Sequence, residues 1–405
     1  MRSFLEDSLH SIKQKYDSLD DLIFILPSQR AGSKLKQLFA KNSDKPAFLP
    51  EILSVENFVQ NLSKLEALDS TQCSFKLYEV YLQITPENEQ EDFQTFNSWA
   101  QTIIQDFNEI DRYLIPAQDI FNYLALIKDK DHWYLSEPKT ELIESYLRFW
   151  NQLPKLYDAF KNKLLTEAKA YQGLQYRVAA NLVTEYVNST NKRHVFIGFN
   201  ALNKAEQVII EVLQDKSLVD MYWDIDNHFM SDSIHDASYF IRRYTFENSF
   251  LKSDKSQLSN TYLNPKEINI IGTPKKIGQS KTIGSILSKL SHAELKSTAI
   301  ILGDESLLLP TLNAIPKAIK GINITMGLPL KEIPLASLFE LLFQVQSQQE
   351  EQIYYKLILD TISHPSLQGV LNEIKEPIAS EIRKQNLVSI HVDDLKFMLS
   401  DENDV

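Results

Sequence analysis

Apolar positions along this chain follow two rhythms, and the change from one to the other marks its organisation. Phe4, Leu5, Leu9, Ile12 and Tyr16 recur at helical spacing, and the unbroken run Leu22-Ile23-Phe24-Ile25-Leu26 predicts a strand buried on both faces. Pro27-Ser28-Gln29-Arg30 stops that strand, with Ser28 placed to cap a helix running through Leu35, Leu38 and Phe39. This strand, turn and helix succession belongs to a parallel sheet. After the short connection Pro46 to Pro50, Ile52-Leu53-Ser54-Val55 predicts a second strand, and Ser54 a second cap.

From about residue 57 to 190 the helical period takes over. Phe93, Phe96, Trp99, Ile103, Ile104, Phe107, Ile110 and Tyr113 mark one apolar face, Phe121, Tyr123 and Leu124 another, and Trp150, Leu153, Leu156, Tyr157 and Phe160 a third. Such aromatic residues serve either core packing or base stacking, and their helical spacing favours packing. Tyr171 to Tyr176 is expected between two further helices. Strand signals then return: His194-Val195-Phe196-Ile197, ending at Gly198, a helix from Lys204 to Leu213, and Leu218 to Trp223. Residues 226–264 are polar and read as surface and linker, with Arg242 and Arg243 on a helix. A new unit follows, with strands predicted at Ile268–Ile271, Thr298–Leu302 and Ile322–Thr325 and helices at 278–290 and near 305–314. The pattern predicts an α/β domain formed by 1–56 and 191–264, a helical insertion at 57–190, and part of a second α/β domain with a helical C-terminal segment at 265–405.

Composition narrows the function classes. The 405 residues are 43% hydrophobic and 24% charged, ordinary globular usage for two or three domains. A single cysteine, Cys73, excludes an intramolecular disulfide, a zinc ribbon and a cysteine-held iron–sulfur cluster within this sequence, and fits a reducing cytoplasm. No run of about 18 apolar residues and no apolar signal core at the N-terminus is present, so neither a membrane nor secretion is expected. Net charge is −12, so any nucleic-acid contact needs a local basic groove. Residues 266–330 are the one net basic block at +4, against −7 for 331–405 and −9 for 1–265.

Two stretches invite a chemical reading and fall short of it. Gly278-Gln279-Ser280-Lys281-Thr282 suggests a phosphate loop, yet Lys275 and Ser280 stand where G-x-x-x-x-G-K-[ST] needs glycines, so a plain strand-to-helix turn is favoured. Asp224, Asp226, His228, Asp232, His235 and Asp236 crowd thirteen residues, but their spacing fits no EF-hand or H-E-x-x-H helix, and a solvated acidic loop is favoured over a metal site. No G-x-S-x-G elbow occurs, and Cys73, far from any evident base, reads as a packed small residue.

An α/β unit, a long helical insertion, a return to the sheet and a second α/β unit is also the plan of superfamily 1 helicases, and particular residues resemble theirs. Leu22 to Lys36 looks like motif Ia, which touches single-stranded DNA, and Val195 to Gln207 occupies the place of motif II, with Gly198-Phe199 where the acidic pair should be. The first, phosphate-binding motif has no counterpart before Leu22. Further stretches, Phe107 to Leu114, Ala170 to Arg177, Phe196 to Leu202, Asp220 to Asp226, Ile324 to Leu330, Pro334 to Leu342 and Ser363-His364-Pro365, resemble AddB-type inactivated superfamily 1 helicase subunits of AddAB/RecBCD-like helicase–nucleases. The resemblance is in particular to Bacteroidetes proteins of the PD-(D/E)XK nuclease family.

That resemblance implies helicase-like (RecA-like) domains that hydrolyse no ATP, since neither phosphate cradle nor metal carboxylates are present. It implies a scaffold for double-strand-break end processing and recombinational repair, bound to single-stranded or forked DNA ends and to an active AddA/RecB-like helicase–nuclease subunit. No cofactor is implied for this chain. The family's exonuclease domain, which needs Mg²⁺ and in many members a cluster held by four cysteines, lies C-terminal to the matched region, so the chain reads as an N-terminal fragment or a naturally truncated relative. Candidate DNA contacts are Ser28, Gln29, Arg30 and Lys34 at the motif Ia turn, where Ser28 is either a phosphate ligand or only a cap, and Lys275, Lys276 and Lys281 in the basic block. A second reading, from the acidic balance, is a protein–protein adaptor of helicase-like fold that touches no nucleic acid.

Overall fold

The computed structural model describes residues 3–41, 48–124, 141–247, 258–348 and 352–395, and the chain divides into two units, 1–266 and 267–405. In the first unit a parallel sheet has the strand order β2-β1-β5-β6, with β1 Leu22–Leu26, β2 Glu51–Ser54, β5 Arg193–Ile197 and β6 Val219–Tyr222. Leu26 pairs with Ser54, Ile25 with Phe196 and Ile197 with Tyr222, so the strands end together along one edge. All five β1 residues are buried because the alternation of the strand serves two cores. Leu22, Phe24 and Leu26 pack with α1 Phe4–Lys15 and α2 Gln29–Lys41, while Ile23 and Ile25 pack with α3 Val55–Ser63 and two later helices.

Between β2 and β5 lies a block of helices, of which α3 and the helix Gln172–Ser189 pack on the sheet. Its own core joins α4 Ser70–Ile84, α5 Phe93–Arg112 and α6 Glu141–Thr166 through Leu77, Phe96, Phe107, Tyr157 and Phe160, with the two-residue strands β3 Glu66–Ala67 and β4 Lys169–Ala170 tying its ends. Tyr171 is the N-cap of α7 Gln172–Ser189, so the stretch expected between helices is instead a first helical turn. Cys73 is buried in α4, where burial pushes its thiol up to about 11. The sheet resumes at β5, then α8 Lys204–Asp215, capped by Asn203 and Glu206, leads to β6. Beyond β6 come α9 Asn227–Ser231, α10 Tyr239–Arg242 and a π-helical turn, Arg243–Glu247.

The second unit departs from the sequence expectation. Ile268–Ile271, Thr298–Leu302 and Ile322–Thr325 lie outside any strand, and among the described residues their sole backbone hydrogen bond is a turn, from the Thr298 N–H to the Leu295 carbonyl. Helices do form beside them: α11 Lys275–Leu287 packs on α13 Leu308–Ala314, so closely that a Cβ on Gly284 would overlap the Ala314 carbonyl oxygen, with the short α12 His292–Lys296 between them in sequence. A separate core of Ile353, Ile358, Ile378, Ile382 and Ile390 joins α15 Tyr355–Ile362 and α16 Gln368–Gln385 to the antiparallel pair β7 Gln352–Tyr354 and β8 Ser389–His391. α14 Pro334–Gln346 precedes it. Among the described residues no helix is long and apolar enough to cross a membrane.

Candidate functional site

In an open parallel sheet, ligands bind beyond the carboxyl ends of strands where the order reverses, here between β1 and β5. β5 ends in Gly198, whose φ of +77° a side chain rarely adopts, and Phe199 turns back into the core against Phe196. The chain then climbs through Ala201, Leu202 and Asn203 to α8. There Asn203 Oδ1 accepts from the Glu206 N–H at 2.8 Å and the Glu206 carboxylate accepts from the Asn203 N–H at 2.9 Å, a reciprocal cap on the helix.

The end of α5 forms one wall over this loop. Asp111 is fully buried and accepts hydrogen bonds from the hydroxyls of Tyr157 at 2.5 Å and of Tyr171, and from Arg177 Nε. Arg177 Nη2 also donates to the carbonyls of Ile110 and Ile115 at 2.9 and 2.7 Å, closing the carboxyl end of α5 with a cation. Leu114 sits in the left-handed region at φ 55°. This knot fixes Arg112 and the half-exposed Tyr113 at the rim. Arg112 Nη2 donates to Gln172 Oε1 at 2.5 Å, Arg112 Nη1 lies 3.2 Å from Glu109, and its buried Nε finds no acceptor among the described residues.

The opposite wall is α10 and the π turn, a local widening that recurs at functional sites. Tyr244 is buried, its hydroxyl accepting from the Leu202 N–H at 2.7 Å and lying 3.3 Å from the Leu202 carbonyl, which pins the turn to the loop. Phe240 and Arg243 are left at the surface. Together the walls and loop enclose a cleft of about 780 Å³ whose charged lining, among the described residues, is Arg112, Lys204, Arg243 and Glu206, with rings from Tyr113, Tyr176, Phe240 and Tyr244. Three cations thus face one carboxylate. Burial raises the Glu206 pKa, opposed by the hydrogen bonds from Asn203 and from the Tyr176 hydroxyl at 3.1 Å and by the charge of Arg112.

The residues expected from sequence are scattered by comparison. Ser28 caps α2, its Oγ accepting from the Ala31 N–H at 3.2 Å, and Gln29, Arg30 and Lys34 stand exposed on that helix at the end of β1, with no acidic residue in its first turn. Gly198 and Phe199 lie at the end of β5, as a turn and a core residue. In the second unit Lys275, Lys276 and Lys281 are exposed along α11, and Lys276 bonds Asp304 at 2.6 Å and Ser306 at 2.7 Å. Residues 275–282 are helical, so their amides run along the helix and cannot wrap a phosphate as a glycine-rich loop does. The expected solvated acidic loop is corrected at Asp226: it is buried and accepts from the His228, Thr261 and Tyr262 N–H groups and from Ser259 Oγ. Burial opposes its charge, but those donors outweigh it and hold its pKa to about 2. Among the described residues no three His, Cys, Asp or Glu side chains group to hold a metal.

Arg112, Lys204, Glu206 and Arg243 are not singled out by sequence as a site, because they come from three elements spread over more than a hundred residues, and only Lys204 and Glu206 share a helix. The sequence signals nearest to them are Tyr113 on the apolar face of α5, Arg243 beside Arg242 in a polar stretch, and the stretches Phe107 to Leu114, Ala170 to Arg177 and Val195 to Gln207, which contain Arg112, Tyr176, Lys204 and Glu206 but mark none of them as a site. No protein-family model and no curated protein sequence matches the chain closely enough to place it in a family.

Proposed function

We propose that this chain is a helicase-like scaffold of the AddB type that binds single-stranded DNA and a partner helicase and hydrolyses no ATP itself. The observation that carries the reading is the cleft at the end of β5, whose lining brings the cations Arg112, Lys204 and Arg243 together with the exposed rings of Tyr113 and Phe240. Single-strand grooves combine these two features, cations for the backbone and rings on which bases stack. The exposed turn of Ser28, Arg30 and Lys34 at the end of the adjacent β1 adds a helix N-terminus and two further cations. The parallel sheet with a helical insertion suits the RecA-like plan, and Gly198-Phe199 in place of an acidic pair suits loss of the motor.

Binding of single-stranded and forked oligonucleotides, titrated over salt, tests the reading. Affinity is expected to fall with salt, with a slope that drops by roughly 0.7 for each phosphate the protein no longer neutralises. Arg112→Glu with Arg243→Glu should weaken binding most, and Arg30→Glu with Lys34→Glu should lower affinity and slope together. Unchanged affinity and slope in both double variants would refute a groove on this face.

One observation favours the adaptor reading. α14 buries Leu338 on one side and exposes Leu335, Phe339, Leu342 and Phe343 on another, positions that share one helical face. A helix apolar on two sides is usually covered on both. Absence of DNA binding at low salt, with retention of a protein partner, would favour this reading.

A further inference from the structure

Among the described residues Glu206 is the one carboxylate lining a cleft otherwise charged by cations, and its position is fixed rather than adjustable. One oxygen accepts from the Asn203 N–H at 2.9 Å and the other from the Tyr176 hydroxyl at 3.1 Å, so the group cannot swing out when a ligand enters. Tyr176 from α7 bonds it and the charge of Arg112 from α5 acts on it, while Arg243 and Tyr244 from the π turn and Lys204 from its own helix line the same cleft. The charge of Glu56 on α3 also acts on Tyr176. A phosphate drawn in by these cations meets a negative charge held among them.

Resting on the reading of the cleft as a single-strand site, we propose that Glu206 sets the affinity of that site by opposing the strand's charge, and that the strand binds with uptake of a proton at this carboxylate. The direction follows from linkage. Burial already raises the Glu206 pKa, and a bound polyanion raises it further, so the complex holds a proton over a pH range in which the free protein does not. Affinity therefore rises as pH falls through that range. The cap explains how a carboxylate comes to stand here: glutamate and glutamine serve equally at this helix position, so the fold requires the hydrogen bond and leaves the charge to function.

Glu206→Gln keeps the cap bond from the Asn203 N–H at its amide oxygen, turns its amide N–H toward the Tyr176 hydroxyl, which then accepts, and removes the charge, which makes it the decisive variant. Binding of a fluorescein-labelled oligothymidine to the full 405-residue chain is measured at constant ionic strength from about pH 5 to about pH 8, above the ordinary carboxylate range. The wild-type protein should bind more tightly as pH falls. Glu206→Gln should bind roughly fivefold to tenfold more tightly at the upper end and lose most of the pH dependence, the size expected for one unit charge near a phosphate at partial burial. Subtracting the variant's profile from the wild type's removes the titration of the eight histidines. Tyr176→Phe takes away a donor that stabilises the carboxylate, so it should move the wild-type profile to higher pH. A Glu206→Gln protein with unchanged or weaker affinity and an unchanged profile overturns the inference, and if Arg112→Gln and Arg243→Gln still weaken binding, the cleft reading survives it. Unchanged affinity in those two arginine variants overturns both.

Discussion

His194 lies on β5 with no exposed surface, its Nε2 2.7 Å from the Tyr186 hydroxyl and its Nδ1 3.3 Å from the Leu218 carbonyl oxygen. Those partners suit a neutral imidazole, accepting at Nε2 and donating at Nδ1. Burial lowers its pKa to about 4, so on acidification the unfolded chain takes up this proton first, from about pH 6.5, and the folded chain only near pH 4. Stability is thus fully present above the unfolded value and is lost as pH falls between the two, by up to about 3 kcal/mol. Glu206, raised by burial, contributes in the opposite sense over part of that range. Urea unfolding at pH 7 and pH 5 in the wild type and in His194→Gln separates them: the variant should be less stable at pH 7 and show a flatter acid slope. Equal slopes would mean that His194 is already charged in the folded protein. The sequence placed His194 on a strand, but its burial, which decides the titration, depends on Phe58 and Tyr186 from the helices packed over it.

At the scale of elements, what was legible was local: the apolar run of β1, the caps Ser28 and Ser54, and the helical faces of α5 and α6 each follow from spacing within one segment. The approach of two segments was not. α5 and α7 cross at Gly173, whose N–H donates to Asn108 Oδ1 at 2.6 Å and whose missing Cβ makes room for the Asn108 backbone. Nothing about Gly173 in sequence distinguishes it from a helix-weakening glycine, because its reason is a carbonyl sixty-five residues away. The cleft inherits this geometry, since Arg112 and Tyr113 at the end of α5 must stand over Gln172 and Tyr176 of α7. Gly173→Ala should force the helices apart, destabilise the protein by about 2 kcal/mol and weaken the proposed DNA binding beyond what the loss of stability explains. Thermal melts beside oligonucleotide titrations check it, and a stable variant with native affinity would show that the crossing yields without moving the cleft.

At the scale of the molecule the two units behave differently under the same rules. In the first, every apolar strand finds neighbours on both sides or a covering helix, so pattern and structure agree. In the second, Ile270 and Ile301 are at least nine-tenths exposed, although their segments carry the same β-branched signal as β1. A parallel strand gains stability only once its partners and both covering layers are in place, so an apolar run announces a capacity to pair and leaves the pairing to the rest of the fold. Amide hydrogen exchange puts this to a residue-level test. Amides of β1 and β5, hydrogen-bonded and buried on both faces, should exchange only through global opening, whereas Ile268–Ile271, Thr298–Leu302 and Ile322–Thr325, without strand partners among the described residues, should exchange at nearly the rate of an unfolded chain. Protection of those three segments equal to that of β1 would mean that they pair as strands in solution, giving the second unit the sheet its sequence pattern predicts. Protection that appears only when a protein partner is added would tie their ordering to assembly, and would weigh toward the scaffold role over a free-standing DNA binder.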